Sequence, residues 1–476
     1  MSETGSKGAL ILFAGGLLVL LVVLERPGYL TSPSALGGLI IAEVILAALT
    51  QYRKLFFPIL VCSFLWAGID LPFRGAFAQG RWIVLGIGAA AGLIIYLHDH
   101  HHYFSSFHLI AFFCILSAFV SSSVSAYPSE ALLKALSLLM LLVYAATGAR
   151  SVVSPLQPAV FFRKVLLACE AVTYITVILY FALRWEIFGN PNSLGAVVGV
   201  AIVPTLLWGY ISADSNLRRW RSGGALSVAV LLLMSSFARA GIGAAALVFV
   251  LICFSLRQYR LLIQGTALAV VIAIAVIVLV PRESDSPYFQ GSDQLTAAFI
   301  YKGNQDQGVF GSRRSVWTET WDSIRAHPWF GTGFGTSMTN DDMTKLDYAA
   351  RHVGSRVARE HGNSYLAITE WTGVLGVLPF FLLVLFAVGY AAKVFRWVRR
   401  TGDVFSPAIP AASIVVAGAF HAMFEDWMFA VGYYLSVFFW SMAFILVDVM
   451  PRATVVQPQP APIPLPQQFG VAMSGD

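Results

Sequence analysis

Apolar runs of about membrane-spanning length follow one another along almost the whole chain, at roughly 8–24, 35–49, 55–69, 82–97, 107–124, 131–147, 165–183, 193–211, 225–236, 240–256, 261–280, 366–391, 407–424 and 428–448. A helix needs about 20 apolar residues to cross a hydrocarbon layer of about 30 Å, and these runs lack the alternation of barrel strands. With 58% hydrophobic and 12% charged residues, the chain has too much apolar surface for one water-soluble core. The expected fold class is all-α, a polytopic transmembrane helical bundle of about 12–14 spans.

The run Gly8 to Leu24 is followed by Glu25-Arg26-Pro27, without a small-x-small cleavage signal, and reads as a retained first span. Cys62, Cys114, Cys169 and Cys253 all lie within apolar runs, so neither a disulfide framework nor a cysteine metal site is expected. His98-Asp99-His100-His101-His102 reads as a solvated loop rather than a metal site. The net charge of +6 gives no ground for a nucleic-acid partner. The Pro- and Gln-rich stretch after residue 450 reads as a disordered cytoplasmic tail. The chain divides into an N-terminal membrane bundle (1–280), a long loop (281–365), C-terminal membrane helices (366–450) and that tail (451–476).

Basic residues gather in alternate connections: Arg53-Lys54, then Arg150 with Arg163-Lys164, then Arg218-Arg219-Arg221, then Arg257 and Arg260, then Lys393 to Arg400. The positive-inside rule then places both termini in the cytoplasm and the long loop outside. This holds only if residues 225 to 256 cross twice and turn near Arg239. Each arm, at about twelve apolar residues, is short for a full span, so a thin or re-entrant helix pair is expected.

The polar stretch from Pro281 to Asn363 holds nine Lys and Arg residues, and a protein that merely crossed lipid would keep its connections short. Arg239, within an apolar helical pair, either snorkels to headgroups or faces an anion-binding cavity. Arg313 and Arg314 open an amphipathic stretch with Trp317, Trp321 and Ile324 at helical spacing. It reads as a helix lying on the bilayer with its apolar face down, and arginine's planar fork suits phosphate. His327-Pro328-x-x-Gly331-x-Gly333 lacks the strand and the Gly-Lys-Ser/Thr of a nucleotide loop and reads as a structural turn.

Further on, Asn363 or Ser364 can cap a helix entering the membrane, leaving amide donors for an anion. His361, one step outside that cap, is either polar surface or a neutral imidazole that takes a proton from a hydroxyl. Glu425 and Asp426, in the turn His421 to Trp427, either pair with the arginines or form a plain exposed turn.

Taken together, Arg239, Arg314-x-x-Trp317, His327-Pro-x-x-Gly-x-Gly333, a His/Asn element and Gly373-x-x-Gly376 resemble the O-antigen ligase and Wzy-type polysaccharide polymerase superfamily, with Asn190-Pro191-Asn192 similar to its element at the start of a middle span. The resemblance covers roughly residues 190–440. It implies a GT-C-like, inverting, metal-independent glycosyltransferase of the bacterial inner membrane that needs no cofactor. Its donor would be an undecaprenyl-pyrophosphate-linked glycan, and its acceptor a glycan or lipid A core hydroxyl on the periplasmic face. Membrane lipid and other polysaccharide assembly proteins are the further partners implied.

By that resemblance His361, Arg239 and Arg314 are the catalytic residues, the arginines holding the pyrophosphate. Arg313, Asn363, Glu360, Glu425, Asp426, Trp317 and Asn192 are the substrate-binding candidates. One departure stands out: Gly362 occupies the position of the family histidine, with His361 one residue upstream, so Glu360 or Glu425 is the other candidate base. Polymerase is the favoured reading, with O-antigen ligase beside it. A transporter or flippase is the alternative from another class, suggested by Lys134, Glu43 and Glu170 in or near apolar runs, and a non-catalytic scaffold is a third.

Overall fold

A computed structural model describes residues 48–72, 74–98, 104–153, 158–279, 311–337 and 359–451, with isolated positions before residue 48. The first apolar run, Glu43, most of the histidine-rich loop, residues 281–310 and 338–358 of the long loop and the Pro-rich tail lie outside the described residues.

Every regular element among the described residues is helical. In chain order these are α1 (Phe57–Gly68), α2 (Arg74–His98), α3 (Ser106–Ser123), α4 (Pro128–Val153), α5 (Pro158–Ala182), α6 (Pro191–Ile211), α7 (Asn216–Ser235), α8 (Arg239–Ser255), α9 (Tyr259–Leu279), α10 (Gly311–Ala326), α11 (Ser364–Thr401), α12 (Ala408–His421) and α13 (Tyr434–Val449). Six of them, α2 to α6 and α11, are long and apolar enough to cross a membrane, and α8, α12, α13 and the Tyr259–Ile272 portion of α9 are shorter apolar helices. The chain is a polytopic helical bundle.

Burial sorts the helices into layers. α13 is buried on nearly every side from Tyr434 to Val447 and α12 almost as completely, the mark of helices apolar all round at the centre of a bundle. Outward-facing Phe112, Leu133, Ile175, Ile263 and Val271 are exposed, forming an apolar perimeter suited to lipid.

Close helix contact is set by glycine. A Cβ on Gly199 would meet the Gly241 carbonyl carbon at 2.8 Å, and one on Gly241 would meet that of Gly195 at 2.7 Å. α6 and α8 therefore touch backbone to backbone, as small-residue spacings allow in membranes. This crossing brings the N-terminus of α6, with Asn192, beside the N-terminus of α8, with Arg239.

The helix pair at Arg239 differs from expectation. Its arms are 20 and 17 residues long, not about twelve: α7 continues back through the charged turn Arg218–Arg221 that bounded the run 225–236, and α8 matches the 17 residues of the run 240–256. The turn falls where expected, with Phe237 in a left-handed conformation at φ 50°.

α11 is broken at Gly373 (φ 66°, ψ −177°). The His-Pro-Gly segment fills the break. The amides of Val374 and Leu375 donate to the carbonyls of Pro328 and Trp329 at 2.8 and 3.2 Å. In return, the amides of Thr332 and Gly333 donate to Glu370 and Trp371 at 2.9 and 3.1 Å. Polar backbone freed by a helix break needs such partners away from water. A Cβ at Gly373 would run into the backbone of Trp329 and Gly331, so only glycine fits. The structural turn read from the sequence is thus a clasp.

Charges within the bundle are also tied down. Arg150, read from the sequence as a loop residue, is fully buried, its fork on Asp448 at 2.6 and 2.7 Å and another nitrogen 2.5 Å from His108 Nε2. Glu170 lies 3.0 Å from Arg221, and Lys134 donates to the Gly335 carbonyl.

Candidate active site

One end of the bundle collects the N-termini of α6, α8 and α11 and the connection between α12 and α13. Among them lies a cavity of about 490 Å³ whose wall includes Asn192, Arg239, Arg313, Glu360, Gly362, His421 and Glu425. Five of the sequence candidates thus meet in one space, carried by segments far apart in the chain.

Arg313 comes from the first turn of α10. One terminal nitrogen donates to Glu425 Oε1 at 2.5 Å and the other to the Gly362 carbonyl at 2.7 Å. Gly362 is left-handed at φ 59°, and a Cβ there would come within 2.5 Å of the Arg313 Nη1. The glycine therefore makes room for an arginine. Arg239 sits across the cavity, half-buried, and feels the repulsion of the Arg313 charge.

Arg314 goes elsewhere. One residue on, it is rotated about 100° around α10 and is exposed, away from the cavity wall. The buried face of α10 carries Thr320 and Ile324, whereas Trp321 is 49% exposed. α10 docks on protein, with Ser323 bonded to Glu370 at 2.8 Å, instead of presenting Trp321 and Ile324 as one face. Trp317 packs near Gly362, 3.8 Å from where a Cβ would stand.

His361 is fully buried and does not offer the free imidazole expected of a base. Its Nε2 is 2.7 Å from Glu370 Oε2 and its Nδ1 3.3 Å from Asp426 Oδ2, with Ser337 Oγ 3.1 Å from Nε2 and its backbone amide on Asp426 at 2.7 Å. Two carboxylates on two ring nitrogens call for two protons, so the ring is an imidazolium. Burial works against that charge, but the hydrogen bonds and charges of Asp426 and Glu370 outweigh it and raise the His361 pKa above its ordinary value. Asp426 is correspondingly lowered, burial again being overcome by His361. Arg359 completes the cluster at 2.8 Å from Glu370. Asp426 is consumed in this network.

Asn363 caps α11, its side chain accepting from the amides of Tyr365 and Leu366 at 2.8 and 3.1 Å. The Ser364 amide donates to the Ala422 and Glu425 carbonyls at 2.8 and 3.1 Å. The amides expected to await an anion are already engaged, so this helix end joins α11 to the turn after α12.

The sequence reading passed over two residues. His421 lies on the cavity wall and accepts a hydrogen bond at Nδ1 from the Trp427 indole at 2.8 Å. Indole N–H only donates, which leaves the imidazole proton on Nε2. Its only sequence signal was a histidine closing an apolar run. Glu370, the buried hub beneath His361, was visible as a lone carboxylate in the run 366–391.

Glu425 and Glu360 are the carboxylates of the cavity. Burial raises the Glu425 pKa more than the neighbouring Arg313 lowers it, and the charges of Glu360 and Asp426 add to the rise. Two guanidinium groups and two carboxylates face one space, balanced until an anion enters.

Residues 223–381 match the family model described as O-Antigen ligase. That segment, about a third of the chain, is similar to O-antigen ligases. It contains Arg239, Arg313, Glu360 and His361, whereas Asn192, His421 and Glu425 close the cavity from outside it. No match is found among curated proteins.

Proposed function

We propose that the protein transfers or polymerises undecaprenyl-pyrophosphate-linked oligosaccharide units onto a glycan hydroxyl at the periplasmic face of the bacterial inner membrane, as an inverting, metal-independent glycosyltransferase. The observation that carries this reading is the meeting of Arg239 and Arg313 on one cavity wall with two carboxylates. The orientation follows from the basic connections lying at the opposite ends of these helices, which the positive-inside rule assigns to the cytoplasm.

Arg239 and Arg313 grip the diphosphate, and the His421 Nε2–H is a third, uncharged donor. Pyrophosphate departs readily, so these groups serve to stabilise charge growing on the leaving oxygen. As donor takes over the Arg313 fork, Glu425 loses its cation and its proton affinity rises further. Glu425 then removes the acceptor hydroxyl proton. The acceptor oxygen bonds to the anomeric carbon from the face opposite the breaking bond, and the carrier leaves as the pyrophosphate. His361 is a positioning residue in this scheme: its bonds to Glu370 and Asp426 fix the segment that presents Glu360 and Gly362 to the cavity.

A transporter reading rested on charges within apolar runs. Glu170 ties α5 to α7 and Lys134 ties α4 to the glycine-rich segment after α10, which favours a structural role for both.

The test is deletion of the protein followed by gel analysis of envelope and secreted polysaccharide. Loss of long chains with single units still on the lipid core supports polymerase. Accumulation of unattached long chains supports ligase. Unchanged glycan with altered solute uptake overturns both.

A further inference from the structure

A second concavity, about 240 Å³ in volume, lies between α1, α5, α6 and α13, away from the arginine cavity. Its wall is apolar along its length, with Val61, Leu65, Val172, Ala201 and Phe438 among the lining side chains. Lys54 and Lys164 stand at one end. Both belong to the end of the bundle that carries the basic connections, Lys54 just before α1 and Lys164 in the second turn of α5. Among the described residues neither lysine has a carboxylate within ion-pair distance.

The dimensions and charge narrow the choice of occupant. From Lys54 to Leu65 is eleven helical steps, about 16 Å at 1.5 Å each, close to half of a hydrocarbon core of about 30 Å. The groove is thus one leaflet deep, apolar where acyl chains run and cationic where a headgroup begins. Basic pockets between membrane helices on the positive-inside face select acidic headgroups.

We infer that this groove is a binding site for an anionic glycerophospholipid of the leaflet on the basic side, its phosphate between Lys54 and Lys164 and an acyl chain along Val61, Ala201 and Phe438. A tail descending from a diphosphate at Arg239 and Arg313 would enter from the other end and leave the lysines unmatched. The site stands apart from the transfer chemistry, so it holds or fails whatever the glycan reaction is.

The full-length protein, delipidated in mild detergent, is titrated by native mass spectrometry with dioleoylphosphatidylglycerol and, separately, dioleoylphosphatidylcholine. At about 1 kcal/mol for each lysine, the anionic lipid is expected to be retained at roughly 25-fold lower concentration than the zwitterionic one. The double variant Lys54→Gln/Lys164→Gln brings the two lipids level. Ala201→Phe, which fills the groove, weakens both. Cys62 also lines the groove, so phosphatidylglycerol is expected to slow its maleimide labelling in the unaltered protein, a readout independent of any variant's folding. Equal retention of both lipids, a preference that survives the double variant, Cys62 labelling indifferent to lipid, or displacement of phosphatidylglycerol by an equimolar isoprenyl pyrophosphate would each overturn the proposal.

Discussion

Arg313 holds Glu425 at 2.5 Å on the cavity wall that Arg239 also faces. In the proposed reaction the pair makes donor binding an exchange: phosphate for carboxylate on one guanidinium. Arg313 gives one terminal nitrogen to Glu425 and the other to the Gly362 carbonyl, and its planar fork is able to turn both toward a phosphate.

That exchange separates two adjacent arginines. Arg313→Ala is expected to lower the transfer rate by roughly 10²–10³-fold, the usual effect of losing one donor to developing negative charge. Arg313→Lys recovers only part of it, because a point charge does not replace the fork. Arg314→Ala is expected to remain within a few-fold of the unaltered protein. Rates of glycan extension from a purified lipid-linked donor check all three; equal loss at both positions would remove Arg313 from its assigned place.

In the proposed reaction Glu425 is expected to govern the acid limb of the pH profile. Its pKa is raised, by burial first, and a general base must be ionised to work. Activity is therefore expected to fall as pH drops through a value above the ordinary carboxylate range, and Glu425→Gln to abolish turnover while leaving donor binding measurable. An acid limb unchanged in Glu360→Gln but shifted in conservative Glu425→Asp would place the base at Glu425.

Gly362→Ala tests the space beside Arg313. A left-handed conformation costs a non-glycine residue about 1–2 kcal/mol, and the new methyl would also press on the guanidinium. A loss of thermal stability together with weaker donor binding is expected. Gly389→Ala, in the same helix as Gly373 but with open space around it, is the control.

How much of this was legible in the sequence depends on the range of each interaction. Helix class, the turn at Arg239 and the turn in the glycine-rich segment follow from local apolar length and from proline and glycine chemistry. The choice of Arg313 over Arg314 does not, because α10 buries the face bearing Thr320 and Ile324, a phase that depends on its docking against α11. The twelve-residue first arm failed for a related reason: apolar length stops at the first charge, whereas hydrogen bonding carried α7 back to Asn216. The carboxylate network around His361 escaped because Glu370 and Asp426 lie 9 and 65 residues away, a convergence that no spacing rule encodes.

The His361 network gives the prediction that most sharply separates a positioning role from that of a base. The His361 pKa is raised in the folded state, so its stabilisation is complete below the unfolded value near 6.5 and is lost as pH rises through the folded one. Asp426 is depressed, so its contribution holds above the unfolded value near 3.8 and is lost as pH falls through the folded one. Thermal stability is therefore expected to be greatest between these limits and to decline on the alkaline side above 6.5. His361→Gln leaves Glu370 and Asp426 without their shared cation and is expected to cost about 3 kcal/mol, the lower end for breaking a buried pair from one side. It should also flatten the alkaline decline. Melting curves across pH for both proteins decide the matter: a histidine acting only as base would abolish turnover yet leave the pH dependence of stability unchanged.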